Sequence, residues 1–170
     1  MFTTLGIVQP RLWSEGAQVI STRRLGGKSL LEWVVRRVTD CQQLDQVIVV
    51  LGSGPEEQYL GELVPRDVPL FMGSPRDVLG RFVAALDKYP AHAVVRVCAD
   101  TPFVDPVLID RLVTTAVDHP ACDYIGYASG NGRPAIQSSI GLFGEWCRAD
   151  ALRTAHAKAT DLVDREWVTR

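Results

Sequence analysis

The sequence predicts an α/β fold of three layers, with a mostly parallel central sheet and helices on both faces. Short apolar runs alternate with amphipathic segments over roughly the first two thirds of the chain, a pattern typical of parallel strands joined by helical crossovers. The apolar runs are rich in β-branched residues, as in strands that are covered on both faces.

Strands are predicted where a short apolar run ends in a turn signal. We expect strands at 5–8, 46–51, 68–72, 94–98 and 123–127. The second of these ends in the turn sequence Gly52–Pro55, and the fourth ends before Pro102, which cannot donate to a strand ladder. After a cluster of turn residues at Ser129–Pro134, the stretch 136–143 predicts one or two further strands, added antiparallel.

Helices are predicted where apolar side chains recur on one helical face. Such segments stand at 30–38, 56–63, 77–88, 106–117, 148–158 and 162–168. Asp105 followed by Pro106 is a typical helix start, with an N-capping side chain and proline at the first helical position.

The composition indicates one soluble domain, residues 1–170. Hydrophobic residues make up 46% of the chain and charged residues 22%, and the formal net charge of −2 indicates neither a nucleic-acid nor a membrane partner. Four scattered cysteines without a C-x-x-C pair predict reduced thiols. The N-terminus lacks a signal-peptide pattern and no apolar run is long enough to span a membrane, so we expect a cytoplasmic protein.

Asp100 is the candidate metal ligand. It follows the apolar run Val94–Cys98 and precedes a helix, so it lies at the carboxyl end of a predicted central strand, where open α/β sheets bind ligands. A carboxylate at that position can hold a divalent metal on a substrate phosphate. The alternative is that Asp100 only caps backbone amides of its loop.

The loop after the first strand is the second candidate element. It is much longer than a usual strand-to-helix connection, and it contains several glycines and the basic residues Arg11, Arg23, Arg24 and Lys28. Cationic side chains and backbone amides suit a triphosphate. Gly52–Gly54 is a weaker phosphate-loop signal, for which an ordinary turn is the favoured interpretation. Neither a G-x-S-x-G nucleophile motif nor a G-x-G-x-x-G dinucleotide motif is present.

Four segments together resemble one enzyme family. Residues 25–33 are similar to L-G-G-K-P-L-L-E, residues 73–82 to G-S-x-x-D-V-L-G-R-Y, residues 94–110 to V-V-R-I-T-G-D-C-P-L-I-D-P-x-L-I-D, and residues 164–169 to E-R-E-H-V-T. These are motifs of the cytidylyltransferases that include the spore-coat polysaccharide (SpsF) type and the sugar-acid CMP-transferases. The motifs span most of the chain in the family's order.

The resemblance implies a GT-A-like nucleotidyltransferase fold that uses CTP and Mg²⁺. It implies transfer of CMP to an acidic sugar or related acid with release of pyrophosphate. The expected binding partners are therefore a nucleoside triphosphate and a small acidic acceptor. Whether the chain forms a homodimer is left open. Asp100 would hold the metal and the loop after the first strand would cradle the triphosphate. The residues expected near the nucleotide or the acceptor are Gly73, Ser74, Asp77 and Arg81.

The chain departs from the family in the phosphate loop, which in the family reads Q-A-R-M-G-S-T-R-L-P-G-K. Aligned without gaps from Gln9, the chain keeps Arg11 as a catalytic cation and Ser14 as a nucleotide ligand, but has Gly16 for the second arginine and Ile20 for the lysine. A second register, in which the segment 21–28 takes the place of S-T-R-L-P-G-K, supplies Arg23 and the catalytic cation Lys28 instead. The ungapped register is favoured because the second requires an insertion and a deletion.

A second departure concerns the family's other metal-binding aspartate, in a G-x-D-x-E-V-F strand, where this chain has Ser139. Two main hypotheses therefore stand: an active CTP-dependent nucleotidyltransferase, or an inactive relative that acts as a binding, regulatory or dimer-forming partner. A glycosyltransferase on the same fold is disfavoured because Ala99 beside Asp100 leaves no D-x-D pair.

Overall fold

The fold is seen in a computed structural model that describes residues 3–10, 20–137 and 140–169. Six strands form the central sheet: β1 Thr4–Gln9, β4 Gln46–Gly52, β5 Leu70–Gly73, β6 Ala93–Cys98, β7 Tyr124–Gly126 and β8 Glu145–Arg148. Two very short strands, β2 Arg24–Leu25 and β3 Lys28–Ser29, form a separate hairpin. The order across the large sheet is β5-β4-β1-β6-β8-β7.

The four strands β5, β4, β1 and β6 are parallel to one another. Strand β8 pairs antiparallel with β6, and β7 pairs antiparallel with β8. The sequence prediction of a mostly parallel sheet is therefore confirmed, but the antiparallel part differs from the prediction, because β7 precedes the turn cluster at Ser129–Pro134 and β8 follows the predicted stretch 136–143.

The described helices are α1 Leu30–Thr39, α2 Pro55–Gln58, α3 Val78–Lys88, α4 Pro106–Asp118, α5 Ala149–Lys158 and α6 Leu162–Trp167. The apolar faces of α1 and α4 pack on one side of the sheet, and those of α3 and α5 pack on the other. Helices therefore cover both faces, as predicted. The predicted cap of α4 is present, since Asp105 Oδ1 accepts a hydrogen bond from the Val107 amide at 2.9 Å.

The prediction of strands at 136–143 is wrong for the described residues of that stretch, 136–137 and 140–143. Residues 135–137 form a 3₁₀ turn, and the strand begins only at Glu145, which pairs with Arg96. Two glycines precede the strand and account for its later start. Gly141 has a φ of +68°, which is outside the strand region, and a Cβ at Gly144 would lie 3.1 Å from the Arg96 carbonyl oxygen. The predicted helix at 56–63 is also interrupted, because α2 ends at Gln58 and a 3₁₀ turn continues to Leu63.

Within the described ranges, no helix has the length and apolar character that crossing a membrane requires.

Candidate active site

The carboxyl ends of the parallel strands form the edge at which the candidate residues lie. Gln9 at the end of β1 pairs with Cys98 at the end of β6, and Gly52 at the end of β4 pairs with Gly73 at the end of β5. The loop that leaves β1 therefore begins beside the turn that leaves β6. The predicted ligands Arg11 and Ser14, with Gly16 and Ser139, fall outside the described residues.

Asp100 lies in the turn directly after β6 and is half-buried. The turn is closed by other groups: the Thr101 hydroxyl donates to the Cys98 carbonyl at 2.7 Å, and the Val104 amide donates to the Thr101 carbonyl at 3.0 Å. No described residue hydrogen-bonds to the Asp100 carboxylate. Among the described residues, no contact therefore supports the capping alternative.

Two contacts from neighbouring segments hold the loop that carries Asp100. Arg37 on α1 donates through Nε to the Val104 carbonyl at 2.5 Å. The Asp105 amide donates to the Leu142 carbonyl at 2.9 Å. These two contacts restrain the backbone of the loop that carries the Asp100 carboxylate.

The predicted residues Gly73, Ser74 and Asp77 come together in one loop, residues 73–77, between β5 and α3. Ser74 Oγ accepts a hydrogen bond from the Asp77 amide at 3.1 Å, and Asp77 Oδ1 caps α3 by accepting from the Gly80 amide at 2.8 Å. Gly73 packs closely on Arg81, since a Cβ at this position would lie 2.8 Å from Arg81 Cγ.

Arg81 lies beneath this loop, in a buried ion pair with Glu57 at 3.2 Å. Glu57 Oε2 also accepts from the Gly52 amide at 2.5 Å, while Arg81 Nη2 donates to the Pro75 carbonyl at 3.3 Å. Burial lowers the pKa of the Arg81 guanidinium, and the Glu57 carboxylate acts against that shift. The pair joins the loops after β4 and β5, so Arg81 shapes the edge of the sheet from inside.

The basic residues of the second register lie in and beside the β2–β3 hairpin. Its two-residue turn uses Gly26 and Gly27, which have φ values of +57° and +89°, as a type I′ turn requires. Lys28 Nζ lies 3.0 Å from Glu32 Oε1 on α1, whereas the Arg23 side chain is exposed. Ile20, at the position of the family lysine in the ungapped register, is also exposed.

Sequence reasoning missed a buried polar network at the same edge of the sheet. Arg96 on β6 donates through Nη1 to Glu145 Oε2 at 2.9 Å and through Nε to Gln9 Oε1 at 3.1 Å. Thr169 and Tyr124 add hydrogen bonds to Glu145 at 2.8 and 2.7 Å. The available signal was an arginine inside the apolar run Val94–Cys98, since a buried charge requires a partner.

A divalent cation such as Mg²⁺ or Ca²⁺ needs several oxygen ligands. The described residues contain no group of three or more His, Cys, Asp or Glu side chains that could hold a metal ion. Asp100 alone fits a Mg²⁺ ion that takes one protein carboxylate and completes its shell with substrate phosphates and water.

A model of the cytidylyltransferase family matches residues 5–167 of the chain. The uncharacterized protein MJ1063 of Methanocaldococcus jannaschii is 30% identical over 166 residues, which cover 97% of this chain and 65% of that protein. The spore coat polysaccharide biosynthesis protein SpsF of Bacillus subtilis is 26% identical over 153 residues, which cover 87% of this chain and 60% of that protein. The chain thus spans less than two thirds of the length of either relative.

Among solved structures, CMP:2-keto-3-deoxy-manno-octonic acid synthetase complexed with CTP superposes on the chain with a TM-score of 0.71. The superposition covers 95% of this chain and 80% of the synthetase at 14% sequence identity. At that identity the likeness establishes a shared fold, and it agrees with the α/β architecture predicted from the sequence.

Proposed function

Because the chain belongs to the cytidylyltransferase family, we propose that it is a CTP-dependent nucleotidyltransferase, which transfers CMP to an acidic sugar or a related acid. The observation that carries the proposal is the position of Asp100. Its carboxylate accepts no hydrogen bond from the described residues and follows β6, whose last residue, Cys98, pairs with Gln9 at the start of the proposed triphosphate loop.

In the proposed reaction an oxygen of the acceptor attacks the α-phosphorus of CTP. A new P–O bond forms, and the bond between the α-phosphorus and the oxygen that bridges to the β-phosphate breaks. Pyrophosphate leaves with that electron pair, and a proton on the acceptor oxygen passes to solvent. The reaction needs no oxidant or reductant.

Each candidate residue has a proposed part in this chemistry. Asp100 would hold Mg²⁺, which when bound neutralises phosphate charge and polarises the α-phosphoryl group. Arg11 and Ser14 would contact the triphosphate, with Arg23 and Lys28 in reach only in the second register. The loop of residues 73–77 would contact the nucleotide, and Arg81 would act on it through the backbone that it supports.

The acceptor class is proposed from the relatives. The name of SpsF refers to polysaccharide biosynthesis, and the synthetase that shares this fold acts on a sugar acid. A sugar acid destined for a polysaccharide is therefore the acceptor to test first.

The test is acceptor-dependent release of pyrophosphate from CTP, measured with Mg²⁺ and a panel of sugar acids. We expect Asp100→Asn to reduce turnover by about 100-fold or more, because charge stabilisation in the transition state is lost. Asp118→Asn is the matched control, since Asp118 is an exposed aspartate at the end of α4. Equal turnover in wild type and Asp100→Asn would contradict the assignment of Asp100.

A second candidate function is that of a non-catalytic relative that binds a nucleotide or a protein partner. It is favoured by the side chains in the phosphate region. Ile20 presents a hydrocarbon where the family has a lysine, and Lys28 is paired with Glu32. CTP binding without release of pyrophosphate in the presence of any acceptor would support this candidate.

A further inference from the structure

Arg165 on α6 connects the C-terminal helix to the proposed nucleotide loop. Its Nη1 lies 2.5 Å from Asp77 Oδ2, across a separation of 88 residues in the chain. The remaining nitrogens are held within the C-terminal region, with Nε 3.1 Å from the Ala159 carbonyl and Nη2 3.2 Å from the His156 carbonyl. Nη1 also lies 3.2 Å from His156 Nδ1. A guanidinium fixed at several points has little freedom to leave its partner.

The two oxygens of Asp77 have different partners. Oδ1 caps α3 through the Gly80 amide, whereas Oδ2 receives Arg165. The carboxylate packs closely on Gly80, where a Cβ would lie 2.5 Å from Oδ2. Arg165 therefore sets the rotation of the carboxylate that caps the helix, and through the Asp77 amide bonded to Ser74 it acts on the loop of residues 73–77.

We propose that Arg165 is a positioning residue for the nucleotide site, which acts through Asp77 to hold the loop of residues 73–77 in the conformation that binds the nucleotide. The proposal rests on the proposed function for the identity of that ligand. It assigns to the C-terminal helix a part in nucleotide binding that is exerted through Asp77.

A second attachment lies shortly after α6 in the chain. Thr169 Oγ1 lies 2.9 Å from Arg96 Nη1 and 2.8 Å from Glu145 Oε2. Between the two attachments Val168 is buried with a φ of +59°, a strained conformation for a β-branched residue. The strain is sustained because the segment is fastened on both sides. Leu162, 76% exposed, shows that apolar burial contributes little at the start of α6.

The chain offers a matched control pair that contacts the same helix, α3. Arg153 on α5 pairs with Asp87 near the end of α3, at 2.7 Å, and the two side chains are 41% and 62% exposed. The Arg165–Asp77 pair lies at the opposite end of α3 and is less exposed, at 25% and 28%. Both pairs join a C-terminal helix to α3, but only one reaches the loop of residues 73–77.

The experiment combines nucleotide affinity with amide exchange in Arg165→Gln, Arg165→Lys, Asp77→Asn and the control Arg153→Gln. Titration of CTP with Mg²⁺ is expected to show affinity weakened about tenfold in Arg165→Gln and unchanged in Arg153→Gln. Arg165→Lys should fall between wild type and Arg165→Gln, because a lysine can pair with Asp77 but cannot span the two carbonyls as well. The double variant Asp77→Asn/Arg165→Gln should bind CTP with no lower affinity than the single variant that binds it less tightly. The reason is that both substitutions remove the same ion pair.

Hydrogen exchange without nucleotide provides the readout that does not depend on CTP. We expect faster exchange at the Asp77 and Gly80 amides in Arg165→Gln, with the centre of the sheet unchanged. Unchanged exchange at those amides, or faster exchange with undiminished CTP affinity, would overturn the proposal. If wild type binds no CTP, the proposed function fails, and the exchange rates alone decide whether Arg165 fixes the loop.

Discussion

Arg96 Nη1 lies 2.9 Å from Glu145 Oε2, and both side chains are almost completely buried, at 3% and 2% exposure. The same nitrogen donates to Thr169, Nε donates to Gln9, and Tyr124 donates to the other oxygen of Glu145. A buried ion pair is tolerated when further hydrogen bonds satisfy its remaining polar atoms. This one joins four strands of the sheet and the C-terminal segment, and through Gln9 it includes the last residue of β1.

Replacement of Glu145 by glutamine is expected to lower the free energy of unfolding by about 3–5 kcal/mol, because Arg96 is left as an uncompensated buried charge. Urea unfolding followed by circular dichroism measures the change. Arg153→Gln, which breaks an exposed pair with Asp87, should change the midpoint little. Equal midpoints for the two variants would show that the buried pair is not a main support of the fold.

Gly73→Ala is expected to destabilise the protein by about 1–3 kcal/mol through overpacking. The new methyl group would lie 2.8 Å from Arg81 Cγ and 3.0 Å from Phe71 Cε1, and Arg81 cannot withdraw without breaking its ion pair with Glu57. The same measurement on Gly130→Ala provides the control, since a Cβ there meets nothing within 4 Å. A neutral Gly73→Ala would mean that Arg81 is not held in place as described.

Stability is expected to fall at alkaline pH because of two buried thiols. Burial raises the pKa of Cys41 and of Cys147 from 9.0 to about 12. The folded state therefore keeps these protons where the unfolded state releases them, so their contribution is complete below pH 9 and is lost as pH rises toward 12. Each thiol can contribute a slope of up to about 1.4 kcal/mol per pH unit.

The measurement is the free energy of unfolding between pH 7 and pH 11. Cys147→Ala should show a shallower decline above pH 9 than wild type, whereas Cys122→Ala, which removes an exposed thiol, should keep the wild-type slope. A free energy that stays level from pH 9 to pH 11 would contradict the burial of these thiols.

Local patterns were sufficient for the parallel part of the sheet and for the position of Asp100. The strand before Asp100 is an apolar run interrupted only by Arg96, and the cap at Asp105 is a local signal, so each could be placed without knowledge of the fold. The β2–β3 hairpin was missed although its Gly26–Gly27 turn is equally local, because its strands are only two residues long.

The remaining parts of the site depend on contacts between distant segments. Nothing local indicates that Asp77 meets Arg165, 88 residues later. Arg81 is one of the buried residues of α3. Helical periodicity alone does not show whether a charged side chain faces solvent or a buried carboxylate such as Glu57. The sequence predicts strands at 136–143, whereas β8 begins at Glu145. A glutamate is compatible with a buried strand here only because it pairs with Arg96.

A nucleotide site built around Asp100 is tested most directly by calorimetric titration of CTP into the folded chain with and without Mg²⁺, in wild type and in Asp100→Asn. The proposed function predicts micromolar binding to wild type that weakens when Mg²⁺ is removed and loses its Mg²⁺ dependence in Asp100→Asn. Absence of CTP binding by folded wild type, or binding that depends equally on Mg²⁺ in both proteins, would contradict a nucleotide site built around Asp100.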